Sequence, residues 1–139
     1  KEIMQGPIRV LRISDYNTTG LIGAENGKKG TPWHSLVKSK GSSNKNMSSG
    51  GSFGIGKSAP FACSNLRTVF YASRVKEVSS YIGVSRLISF NDNGDTTIGT
   101  GYFSEDKNLK AILEPFGLNN FDRTKDGTDI YIIYYAFIF

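Results

Sequence analysis

The stretch GGSFGIGKS, residues Gly50–Ser58, constrains this chain more than any other segment of its length. Gly51, Gly54 and Gly56 remove three Cβ atoms just ahead of a helix-forming run. Exposed backbone N–H groups and the positive helix end can therefore approach phosphate oxygens closely. Residues 51–58 also satisfy the P-loop pattern GxxxxGK[ST] letter for letter. A P-loop must leave a buried parallel strand, however, and the preceding NKNMSSG cannot be one, so that reading is set aside. An ordinary glycine turn without a ligand needs neither three glycines nor the lysine.

Around this motif the chain reads as an alternation of short elements. IRVLRIS (Ile8–Ser14) has the apolar alternation of a strand with one well-buried face and ends at Asp15, where the turn-forming DYNTTG begins. Thr31-Pro32-Trp33 caps and opens a short helix. KSAPFACSN predicts a helix with Pro60 in its first turn, and LRTVFYASR a strand. SYIGVSRLISF and TTIGTGYF flank NDNGD as a β-hairpin. In SEDKNLKAILEPFG, Ser104 as cap, apolar Leu109, Ile112, Leu113 and Phe116 at helical spacing, and Gly117 as stop predict a further helix. TDIYIIYYAF is a closing buried strand. The expected architecture is α/β of the α+β kind: a two-layer sandwich with a mixed, largely antiparallel sheet and its helices on one face.

Length and charge narrow the function. The 139 residues suit one domain spanning 1–139. A net charge of +5 matters less than its placement, because residues 26–76 contain no Asp or Glu but carry Lys28, Lys29, Lys38, Lys40, Lys45, Lys57, Arg67 and Arg74. A segment of one sign favours an anionic partner, whether a polyphosphate, a nucleic acid or an acidic protein surface. Cys63 stands alone, which excludes an internal disulfide and a multi-cysteine zinc site and suits a reducing, cytoplasmic compartment. It reads as a small core filler on an apolar helix face. The longest apolar run, IYIIYYAFIF, is far short of the roughly 20 residues a membrane helix needs, so no membrane partner is expected. Trp33 reads as packing and His34 as an exposed helix residue.

With the chain order in view, the glycine motif resembles the second glycine box of the GHKL ATPases (gyrase, heat-shock chaperone, histidine kinase, MutL), whose GxxGxG follows a flexible lid and opens a helix. Asp15-Tyr-Asn17-Thr-Thr-Gly20 after a strand is similar to that family's first box, with Asn17 where a glycine is usual and Gly20 one place late. Gly127-Thr128 resembles the GT element at the start of the last long strand. The resemblance implies a Bergerat ATP-binding fold that takes ATP or ADP, with Mg2+ in the parent protein. Asp15 would accept a hydrogen bond from the adenine amino group, a role suited to an ionised carboxylate, which only accepts. Asn17, Gly20 and Thr128 would complete the base site. Gly51, Phe53, Gly54, Ile55, Gly56, Lys57 and Ser58 would wrap the phosphates, beneath a lid at 23–49. The family's general-base and magnesium-holding helix precedes its first strand, and only KEIMQGP precedes it here, so the expectation is a piece of a larger ATPase that does not hydrolyse on its own. A second subunit or a nucleic acid would be reached through that parent. The competing reading is a nucleic-acid or protein interaction domain that uses the basic lid and has a degenerate nucleotide site.

Overall fold

The computed structural model describes residues 6–38, 55–107, 109–114 and 123–136. Five strands form one sheet in the order β1-β7-β2-β3-β6: β1 (Val10–Ser14), β2 (Thr68–Val75), β3 (Val78–Arg86), β6 (Thr100–Phe103) and β7 (Gly127–Ile133). All four pairings are antiparallel, so the expected mixed sheet is, among the described residues, wholly antiparallel. β4 (Asn91–Asp92) and β5 (Asp95–Thr96) make a small separate ribbon that extends the β3–β6 hairpin. Its turn places Asn93 and Gly94 at φ 50° and 95°, as an Asn-Gly hairpin turn requires.

Two short helices, α1 (Pro32–Val37) and α2 (Ile55–Ala62), pack on one face of the sheet. Their Trp33, Val37 and Phe61 join Val69, Tyr71, Ile82 and Val84 of the strands in one buried cluster. α1 begins as its sequence dictates: the Thr31 hydroxyl accepts from the His34 N–H at 3.3 Å, and Pro32 occupies the first turn. Trp33 is fully buried, and its indole N–H donates to the Leu109 carbonyl at 2.8 Å. The opposite face buries Ala72, Tyr81 and Tyr131, with Phe70 and Ile133 against them.

Several expectations are corrected. The helix predicted from Ser104 does not form within the described residues. Leu109 has φ 64°, and Ile112 exchanges two backbone hydrogen bonds with Tyr81, at 2.8 and 2.9 Å. The open edge of β3 supplies partners that outweigh local helical spacing; Phe116 and Gly117 lie outside the described residues. α2 starts at Ile55, so Pro60 falls in its second turn rather than its first. β1 lacks the well-buried face its alternation suggests. Val10 and Ile13 stay 43% and 49% exposed, because among the described residues β1 is an edge strand paired only with β7. Cys63 sits just beyond α2 and is only half-buried, and His34 is half-buried rather than exposed. Of the expected lid, residues 23–38 are described. Ala24, Trp33 and Val37 are core residues, so this half is anchored; residues 39–49 lie outside the described part.

Candidate functional site

At the end of β1 the chain turns while keeping its hydrogen bonds to the strand beside it. The Asp15 N–H donates to the Thr128 carbonyl at 3.0 Å, and the Asn17 N–H to the Asp126 carbonyl at 3.1 Å. Asn17 takes the left-handed region, φ 57°, which asparagine tolerates better than most residues. Gly20 does so too, at φ 66°, and a Cβ there would lie 2.5 Å from the Arg74 carbonyl oxygen and 2.9 Å from the Ser73 hydroxyl. That close approach lets the Leu21 N–H donate to the Ser73 hydroxyl at 2.7 Å. Gly20 is thus required where it stands.

Asp15 and Thr128 meet directly. The Thr128 N–H donates to Asp15 Oδ1 at 2.5 Å, and the Thr18 hydroxyl to the same oxygen at 3.1 Å. Among the described residues nothing donates to Oδ2, which leaves one carboxylate oxygen able to accept from a ligand. Gly127, at φ 140°, makes the meeting possible, since a Cβ there would stand 2.5 Å from Asp15 Oδ1.

Beneath this turn lies a buried ion cluster that the sequence reading missed. Asp129 is fully buried and pairs with two guanidiniums, that of Arg123, 2% exposed, and that of Arg12, 38% exposed, at 2.9 Å. The Tyr131 hydroxyl donates to the same carboxylate at 3.1 Å. Burial, then the charge of Asp129, pushes the Tyr131 phenol above its ordinary range. Arg123 also donates to the Asp15 carbonyl and lies 5.0 Å over the Tyr16 ring, so one cation ties the last strand to the Asp15 turn. The available signal was Asp129 itself, an acid inside the apolar run TDIYIIYY, where a charge is tolerated only when paired.

A cavity of about 290 Å³ opens on the helical face at this turn. Asp15, Ser14 and Thr128 supply its polar groups, and Ile13, Leu21, Leu36 and Ile130 its apolar walls. That is the usual make-up of a ligand pocket at the small end of the size range. Asn17 faces elsewhere, onto a more open cleft of about 560 Å³ that it shares with Thr18, Arg74, Glu77 and Asp126.

Of the second glycine box, Gly51, Phe53 and Gly54 lie outside the described residues, and Ile55 opens α2. A Cβ on Gly56 would meet nothing within 4 Å. The Lys57 ammonium donates to the Ser35 carbonyl at 2.6 Å, and Ser58 Oγ accepts from Arg86 at 3.0 Å. Burial, then the charge of Arg86, lowers the Lys57 pKa. Ser35 holds Lys57 and its neighbour Leu36 lines the Asp15 cavity, so α1 connects the two boxes.

Among the described residues no three His, Cys, Asp or Glu side chains gather as a metal site, and no helix is long and apolar enough to cross a membrane. No donor set among the described residues fits Mg2+. No family model, curated protein or solved structure matches the chain.

Proposed function

We propose that the chain is an adenine-nucleotide-binding domain of the GHKL kind, with the purine in the Asp15–Thr128 cavity and the phosphates toward the start of α2. The observation that carries this reading is the junction of Asp15 and Thr128 in the wall of an otherwise apolar cavity. Two segments that resemble family elements, 113 residues apart, share one hydrogen bond there. The carboxylate has one oxygen committed to the fold and one available, so a planar base stacked between Leu21, Leu36 and Ile130 could donate an amino hydrogen to it. An oxo-bearing base would present an acceptor to an acceptor and be disfavoured.

Lys57 fits the same scheme as a point charge released from the Ser35 carbonyl to a phosphate oxygen. The reading concerns binding, and no residue is assigned to hydrolysis. Titration calorimetry with ADP, ATP and GDP tests it. Adenine nucleotides should bind, GDP at least tenfold more weakly, and Asp15→Asn should weaken ADP by about 10–100-fold, as expected for a hydrogen bond to a charged group. Equal affinity for ADP and GDP would refute the assignment of Asp15. Salt-sensitive RNA or DNA binding that ignores both nucleotide and Asp15 would favour an interaction domain instead.

A further inference from the structure

Arg86 ends β3 on the helical face of the sheet, in register with Ile82 and Val84 of the core. Its guanidinium lies 4.0 Å over the Phe61 ring and donates to Ser58 Oγ at 3.0 Å, so two residues of α2 fix its plane. It is half-buried, near enough to the Tyr71 and Tyr102 phenols to act on both electrostatically.

No carboxylate answers it. Among the described residues the ion pairs are Arg12–Asp129, Arg123–Asp129 and Lys110–Glu105, none at this place. Lys57 sits one residue before Ser58, which Arg86 contacts, and the charge of Arg86 helps to lower the Lys57 pKa. A half-buried guanidinium with no carboxylate partner among the described residues gains most from an anion that arrives from solution. A planar fork beside a compact ammonium and a hydroxyl is a donor set suited to a phosphate chain with several charges.

We propose that Arg86, with Lys57 and Ser58, binds the polyphosphate of the ligand, so that the site takes di- and triphosphates in preference to the nucleoside or monophosphate. This deepens the nucleotide reading and rests on it for the identity of the base, but the anion cluster itself does not need the base. Sequence reading did not find Arg86 because it lies 28 residues beyond Ser58, on a strand, in no motif.

The test is calorimetry with tripolyphosphate, adenosine and ATP as probes, on the wild type and on Arg86→Gln and Arg86→Lys, with circular dichroism to verify folding. Arg86→Gln should weaken tripolyphosphate and ATP by about 10–100-fold, the range for a charge-assisted hydrogen bond, and leave adenosine unchanged. Arg86→Lys, which keeps the charge and loses the fork, should fall between. Should Arg86→Gln fail to fold, the Lys variant decides: polyphosphate affinity equal to wild type overturns the proposal. Tripolyphosphate binding that depends on Arg86, in a protein indifferent to adenosine, upholds the cluster and sinks the adenine reading. ATP binding lost in Asp15→Asn but untouched in Arg86→Gln does the reverse.

Discussion

Replacing Asp129 by Asn removes one charge and almost no volume from the best-buried polar cluster in the described structure. Asp129 is 0% exposed and Arg123 is 2% exposed, so the substitution leaves a guanidinium with no water and no counter-ion. Breaking a buried pair from one side costs about 3–5 kcal/mol, most of it the stranded charge rather than the lost attraction. For a domain of this size that is a fall in Tm of roughly 10–20 °C. Arg12 reports the contrast. It contacts the same carboxylate but is 38% exposed, and Arg12→Ala should cost no more than about 1 kcal/mol, because water replaces the partner. Urea unfolding of Asp129→Asn, Asp129→Leu, Arg123→Met, Arg12→Ala and the double variant Asp129→Leu/Arg123→Met measures these terms. The double variant should be more stable than the sum of its singles predicts, since it removes both charges together. A loss below about 1 kcal/mol in Asp129→Asn, or strict additivity in the double, would refute the view of this cluster as a paired internal charge. Because Arg123 also donates to the Asp15 carbonyl, the same variant should speed hydrogen exchange at the Asp15 amide, which is bonded to Thr128.

Two of the glycines named by sequence, Gly20 and Gly56, separate cleanly. Gly20→Ala, at φ 66° with a Cβ 2.5 Å from the Arg74 carbonyl, should cost about 2 kcal/mol or more, whereas Gly56→Ala, in a helix with open space around it, should stabilise by roughly 0.5–1 kcal/mol. Chemical denaturation ranks them, and the reverse order would mean that the Asp15 turn is misread. Alkali offers a further check. Burial raises the Tyr71 phenol to about 12, so the unfolded chain ionises first, and the contribution of this group is whole below pH 10 and lost as pH climbs toward 12. Stability should fall by about 2–3 kcal/mol over that window and fall less in Tyr71→Phe; an identical alkaline slope in the variant would contradict the burial.

Local chemistry made several elements legible. The Thr31-Pro32 pair starts α1 because an N-cap hydroxyl and a fixed φ act within one turn. Asn93-Gly94 closes its hairpin because both residues accept left-handed backbone. The partner turn at Lys76-Glu77, at φ 47° and 71°, carried no such signal, since neither side chain favours that region. There the strands on either side, paired from Thr68–Ser85 to Val75–Val78, impose the turn.

The failures have one origin. Residues 109–112 have apolar side chains at helical spacing, but the Leu109 carbonyl is taken by Trp33 and the Ile112 backbone by Tyr81, partners 76 and 31 residues away. Asp15 was recognisable as a carboxylate after a strand. That its Oδ1 would be occupied by Thr128, and that Arg123 would fasten the turn from below, depended on bringing β1 beside β7. The amino-acid order by itself determined the helix cap, the hairpin turn and the strand-forming runs, because those preferences act over a few bonds. Only the tertiary structure decided which carboxylate is paired, which glycine is indispensable and which arginine stands beside Ser58. Such contacts exist only after the strands have closed the distance between residues as far apart as 12 and 129.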